Sequence, residues 1–307
     1  MKELQIRYVK LHFVLEIVED TIMPTHKASA IRGGVGEMLL RANCISNRDC
    51  EKCGFESECI VQRTMYSKFD MKPKLLSGTM DSVGYVIECE DYHEDFSAGD
   101  TLEFNLLLFG KTIVYFNQYI QAVYALGQHG IGKNKSRYQV AQVLNTKREP
   151  ILDGNNIYMK YYRHETIEDY VNYRLKQIEK NGIENVIVFQ TPLTQKHNNS
   201  IMSEFDMDVI LKSIQRRIYI LDAFEQIDGE NAYLKDLPTV KVLEQTTRTI
   251  SVKRYSNRRK QEMYLTGIKG DIVCESIPEE SLKWLLAGEI THIGKNTSFG
   301  FGRYRVK

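Results

Sequence analysis

The tetrapeptide Ile-Gly-Lys-Asn stands at 131–134 and again at 293–296. Each copy runs on through an Arg-Tyr pair to a valine, RYQV at 137–140 and RYRV at 303–306. One copy lies near mid-chain and the other almost at the end, so the shared frame predicts a duplicated unit that closes each time on the same loop and strand. A chain of 307 residues has room for two such units of about 150 residues each.

The hydrophobic pattern supports the duplication. Leu11, Phe13, Leu15 and Ile17 alternate within 5–18, which predicts a strand. Pro24 and Thr25 break it, and Ile31, Val35, Met38, Leu39 and Ala42 then share one helical face within 28–42. Strands are predicted over 80–90 and 101–109, a helix over 113–127 ending near Gly127, then the glycine loop and a strand over 137–144. The second half repeats the order: a strand at 185–191, a helix over 206–227, strands at 248–255 and 262–275, and a helix over 278–288 with Gly288 at its end. The glycine loop and a last strand follow. The predicted fold class is α+β, two tandem ferredoxin-like (RRM-like, βαββαβ) domains, each with a glycine-rich loop before its last strand. The boundaries are 1–150 for the N-terminal domain with a four-cysteine insertion at 44–59, 151–182 for a connector, and 183–307 for the C-terminal domain.

The first loop, GQHGIGKN at 127–134, differs from a phosphate-binding P-loop by Asn134 in place of the Ser or Thr that holds magnesium. A P-loop also leads from a strand into a helix, whereas this loop leads from a helix into a strand, so no helix N-terminus is there to hold phosphates. Nucleotide hydrolysis is disfavoured. The second loop carries Gly294, Gly300 and Gly302 among Phe299, Phe301, Lys295, Arg303 and Arg305. Glycine lets backbone approach a ligand closely, and exposed amides beside lysine suit phosphate. The net charge is only +1, so any nucleic-acid surface must be local. KRYSNRRK at 253–260 packs five cations and a tyrosine into eight positions. Such a run is a solvated hairpin tip in most proteins, but Lys212, Arg216, Arg217 and the glycine loop are expected nearby. Lys10, His12 and Glu16 interrupt the first apolar run, and no apolar run approaches the ~20 residues of a membrane span, which predicts a reducing, cytoplasmic setting.

IGKNTSFGFGRYRV at 293–306 resembles the C-terminal glycine-rich signature of the RAMP superfamily. AIRGGVGEMLLRANC (30–44), CEKCGFESEC (50–59), FQTPLTQK (189–196) and KRYSNRRKQEMYLTGIKGDI (253–272) follow in the order found in its CRISPR repeat-processing endoribonucleases, the Cas-six family, the second of them in one branch. The resemblance runs in pieces from about 24 to 306. It implies metal-independent cleavage of CRISPR precursor RNA into guide RNAs, with 2′,3′-cyclic phosphate and 5′-hydroxyl ends and no catalytic cofactor. The implied partner is CRISPR repeat or precursor guide RNA; other CRISPR effector subunits and a homodimer are compatible with it, and no membrane is implied.

Such cleavage needs a base for the ribose 2′-hydroxyl, an acid for the leaving 5′-oxygen and positive charge for the phosphorane. Among seven histidines, His26 falls in the turn before the first helix, beside Lys27 and six residues before Arg32. The resemblance places a catalytic histidine at or near that junction. An exposed loop histidine is the plainer reading of His26, and His292 and His129, each next to a glycine loop, are the alternatives. The expected RNA contacts are Lys27, Arg32, Lys133, Arg216, Arg217, Lys253, Arg254, Arg258, Arg259, Lys260, Gly294, Lys295 and Asn296. Cys44, Cys50, Cys53 and Cys59 have the spacing C-x5-C-x2-C-x5-C, which suits a closed, structural zinc site; an iron–sulfur cluster has the same ligand count, and four free thiols are the simpler case. Two other classes share these features. A non-catalytic RAMP subunit binding guide RNA in an effector complex would differ only in a dead His26 site. A structural adaptor docking through the cysteine segment would leave both glycine loops without a purpose.

Overall fold

The alternating residues of the first segment form strand β1 (Arg7–Ile17), whose Leu11, Phe13, Leu15 and Ile17 are all buried on one face. This computed structural model describes residues 4–66, 83–197, 200–225, 234–256 and 261–307. Helix α1 (Lys27–Asn43) and the short α2 (Ile60–Thr64) follow, then β2 (Tyr85–Glu88), β3 (Thr101–Phe109), α3 (Phe116–His129) and β4 (Tyr138–Leu144). Strand β1 lies antiparallel between β3 and β4, with Phe13 opposite Phe104 and their rings stacked 4.8 Å apart. The order β2-β3-β1-β4 is that of a ferredoxin-like sheet, and α1 and α3 cover one face of it. Strands β5 (Pro150–Asp153) and β6 (Asn156–Ile157) extend its edge beyond β4. Helix α4 (Ile167–Asn181) starts at a capping box between Thr166 and Asp169.

The second unit runs β7 (Val186–Phe189), α5 (Met207–Glu225), β8 (Val242–Ser256), β9 (Gln261–Cys274), α6 (Glu279–Thr291) and β10 (Tyr304–Val306). Its sheet order, β8-β9-β7-β10, repeats that of the first unit strand for strand. Two tandem ferredoxin-like domains are therefore present, as the duplicated frame predicts. They share a core. Tyr8, Val86, Leu107 and Phe109 from the first sheet pack in one cluster with Ile214, Ile218, Leu221 and Phe224 of α5 and Trp284 and Leu285 of α6. The apolar face of α5 thus serves both domains.

Two helix ends lie beyond their predicted places. Helix α3 continues through Gly127 to stop at Gly130 (φ 87°), and α6 continues through Gly288 to Thr291. In each case the glycine is a packing site rather than a stop: a Cβ on Gly127 would lie 2.4 Å from the Tyr138 carbonyl oxygen, and one on Gly288 would lie 2.1 Å from the Tyr304 hydroxyl. Sequence alone does not separate these two uses of glycine, because the neighbouring strand that demands the space is distant in the chain.

Candidate RNA-processing site

The two glycine loops converge on the turn that precedes α1. Asn134 of the first loop donates to the Ile22 carbonyl (2.9 Å), and a Cβ on Gly132 would lie 3.1 Å from Pro24. In the second loop, a Cβ on Gly300 would lie 2.7 Å from the Ile87 carbonyl oxygen and 3.5 Å from Ala28. His26 sits between Pro24 and Ala28, flanked by one loop on each side. It is the residue immediately before α1, with non-helical backbone (φ −98°, ψ 79°).

The second loop is built on strand-like contacts with FQTPLTQK. Leu193 exchanges hydrogen bonds with Ile268 of β9, and Lys295 N donates to the Thr194 carbonyl (2.8 Å). Gly302 must be glycine: it has φ 71°, and a Cβ there would lie 1.8 Å from the Ile293 carbonyl oxygen. Asn296 also takes the left-handed conformation (φ 64°), and the Lys295 side chain is exposed at the loop tip. The guanidiniums of Arg32 (5.0 Å) and Arg254 (4.4 Å) both pack on the Phe299 ring, so α1, β8 and the glycine loop bring positive charge to one place.

The His26 ring meets Tyr92 edge-on, centroids 5.6 Å apart. Both line a cavity with Ser29, Glu90, Phe299 and Arg303. Glu90 and Tyr92 also line an adjoining cleft of about 560 Å³ whose other wall carries Gln190, Arg248 and Lys269. Arg248 and Lys269 are register partners on β8 and β9, which sets two cations side by side. Burial lowers the His26 pKa from its ordinary value, and the charges of Lys269 and Lys27 lower it further. Burial likewise lowers Lys269, with Arg248 adding to the effect, and burial raises the Tyr92 phenol.

His292 is fully buried. Its Nδ1 lies 3.0 Å from the Phe301 carbonyl oxygen and its Nε2 lies 2.9 Å from Glu88 Oε1. Both ring nitrogens are therefore engaged inside the core, away from the cleft. His129 ends α3 at the surface, with Lys135 Nζ 2.8 Å from its Nε2.

Of the basic residues expected at the RNA, Lys133 and Lys295 are exposed on the two loops, and Arg32 and Arg254 stand at the second. Two others are turned inward. Lys27 is 1% exposed, and its ammonium donates to the Asp91 (3.1 Å) and His93 carbonyls above the Phe96 ring. Arg217 is buried and donates to Thr291 O (3.2 Å) and Val83 O (3.1 Å), tying α5 to the first domain. Arg216 is half-buried on α5. Lys253 is exposed and paired with Glu262 across the hairpin at 2.9 Å. Arg258, Arg259 and Lys260 lie outside the described residues. Lys269, Arg248 and Tyr92 are the residues that sequence reasoning missed. The signal for Lys269 was there, in a lysine held between Gly267 and Gly270, but only the fold turns that strand toward His26.

The four cysteines Cys44, Cys50, Cys53 and Cys59 line one cavity, with no disulfide between them. Among the described residues, no three His, Cys, Asp or Glu side chains are gathered tightly enough to hold a metal ion. No described helix is long and apolar enough to cross a membrane.

An AF_1859_N N-terminal domain model matches residues 5–169, more than half of the chain. A model for the CRISPR-associated endoribonuclease Cas6 matches 187–304. No curated protein matches the chain by sequence. Among solved structures, a partial Cas6-RT-Cas1–Cas2 complex aligns with 98% of this chain and 46% of its own at 11% identity and a TM-score of 0.58, so this chain spans less than half of that one. A Cas6 product complex aligns with 97% of this chain and 99% of its own at 15% identity and a TM-score of 0.50. A Thermus thermophilus Cas6 aligns with 97% and 98% at 14% identity, also at 0.50. At these identities the likeness is one of fold, and it extends over both domains. The chain thus belongs to the family of the AF_1859_N N-terminal domain, whose model covers more than half of it, and its C-terminal half carries a domain that matches the CRISPR-associated endoribonuclease Cas6.

Proposed function

We propose that the chain binds CRISPR repeat RNA at the two glycine loops and cleaves it beside His26 without a metal ion, leaving 2′,3′-cyclic phosphate and 5′-hydroxyl ends. The observation that carries this reading is the convergence of both loops on the His26 turn, next to a cleft walled by Arg248 and Lys269. A neutral imidazole accepts a proton, and a lowered pKa keeps His26 neutral at physiological pH. His26 therefore takes the proton of the ribose 2′-hydroxyl. Tyr92, its phenol held protonated, is the donor for the leaving 5′-oxygen. Lys269 and Arg248 face the charge that grows on the phosphorane, and the loop amides with Lys295 grip the flanking backbone.

The test is incubation with repeat RNAs in excess chelator, with analysis of product ends. Cleavage should persist and give cyclic phosphate. Loss of cleavage in chelator, restored by magnesium, sinks the mechanism; tight RNA binding with no cleavage under any condition favours a non-catalytic guide-binding subunit.

The pH profile tests the roles separately. The folded pKa of His26 lies below 6.5, so the rate should rise with pH through that lowered value and level off above it. Replacing Lys269 by Met removes a neighbouring positive charge. The inflection should then move up toward 6.5, while the plateau falls for want of phosphorane stabilisation. An unmoved inflection would separate Lys269 from His26.

A further inference from the structure

The segment between α1 and α2 has no apolar core of its own. Residues 44–59 contain no helix or strand, and no residue from 41 to 59 is buried. Ile45 (73%) and Phe55 (61%), its largest apolar side chains, are exposed. Ordering a residue costs roughly 1–2 kcal/mol of backbone entropy, and apolar burial, the usual compensation, is missing here. The charges of this lobe pair among themselves: Arg41 and Arg48 with Glu37 (2.8 and 2.7 Å), Lys52 with Asp49 (3.4 Å) and Arg63 with Glu58 (3.6 Å). Exposed pairs of this kind contribute about 0–1 kcal/mol each, too little to fold sixteen residues.

What the segment does have is four thiols around one cavity of about 410 Å³. Cys44 caps the end of α1 and Cys59 precedes α2. Between them Cys50 and Cys53 are joined by a tight turn, with Cys53 N donating to Cys50 O at 3.4 Å. The Cys44 sulfur already accepts a backbone hydrogen bond from Arg48 N at 3.2 Å, as metal-bound sulfurs commonly do. Two thiols at the helix ends and two on the intervening turn make a symmetric four-sulfur set. Four neutral thiols have no attraction for one another, so such a set closes only when an ion draws it together, and the binding free energy becomes folding free energy.

We infer that Cys44, Cys50, Cys53 and Cys59 bind one Zn²⁺ as thiolates, and that this ion, in place of an apolar core, folds the lobe that joins α1 to α2. Four soft sulfur ligands select zinc over magnesium or calcium, and an all-cysteine set leaves no open position for catalysis. The thiol protons leave on binding, so affinity falls as pH falls. The inference is independent of the RNA chemistry proposed above.

The test uses the full chain purified anaerobically from zinc-supplemented medium. Elemental analysis should give one zinc per chain. Exchange for Co²⁺ should give intense thiolate-to-metal charge transfer and the visible bands of a tetrahedral site. Chelation should expose residues 44–59 to limited proteolysis, and Cys50→Ser with Cys53→Ser should abolish the cobalt spectrum. If that variant does not fold, the wild-type cobalt spectrum and thiol count decide alone. Native protein without zinc, with Cys44, Cys50, Cys53 and Cys59 all reacting with a thiol reagent and no cobalt spectrum, overturns the inference. Iron with acid-labile sulfide overturns the zinc assignment.

Discussion

His26→Ala is expected to slow single-turnover cleavage by about 10²–10⁴-fold at saturating protein, the usual value of a positioned acid–base group. RNA affinity should be nearly unchanged, because affinity rests mainly on phosphate contacts and His26 is one half-buried ring among them. The two glycine loops make the comparison clean, because they hold their places through contacts to backbone that do not pass through the imidazole. Single-turnover rates measured on one repeat RNA over a range of protein concentrations separate chemistry from binding. A variant cleaving at the wild-type rate would make His26 a bystander. The search would then turn to His129, since both nitrogens of His292 are already hydrogen-bonded.

Glu88→Ala should destabilise the fold by about 3 kcal/mol, the lower end of the range for breaking a buried ion pair. Glu88 is 4% exposed at the end of β2. Its carboxylate accepts from Lys10 (2.8 Å), Asn105 (3.0 Å) and His292 (2.9 Å), with Arg303 Nε at 3.5 Å. Removing it strands these groups. The lower end applies because the Lys10 and Arg303 side chains are 23% and 20% exposed, so water takes up part of their charge. The cost should appear as a lower urea midpoint at constant slope. Burial alone would raise the Glu88 pKa, but Lys10, Arg303 and the His292 contact hold it well below the ordinary carboxylate range. A depressed folded pKa contributes stability that is complete above the unfolded value and fades as pH falls toward the folded one. The wild-type advantage over Glu88→Ala should therefore be full at neutral pH and shrink below about pH 4.5. A loss under 1 kcal/mol at pH 7 would show that the cluster is held by its surroundings rather than by this carboxylate.

Much of the fold was legible because its signals are local. The alternation at Leu11–Ile17 and the helical spacing at Ile31–Leu39 each arise within one element and survive any tertiary context that buries one face. The repeated Ile-Gly-Lys-Asn frame reported the duplication directly, and the left-handed conformations at Gly132, Gly294 and Asn296 explain why the loop needs those residues. The turn before α1, with His26 in it, could be placed by Pro24 and Thr25 alone. Gly127 and Gly288 misled for the opposite reason, since what they accommodate lies on another strand.

The sequence by itself thus determined the two βαββαβ units, the two loops that close them and the position of His26 at a junction, all set by residues within a few places of one another. Tertiary structure decided which charges meet that histidine. Lys27 is its chain neighbour, yet its ammonium is buried against Asp91 and His93, while Lys269, more than two hundred residues away, stands in the adjoining cleft. His292 and Glu88, 204 residues apart, form a buried pair that no periodicity announces. A side chain's direction follows from local backbone geometry, but its partner depends on how two separately patterned sheets are brought together, and that is fixed by the core they share around α5.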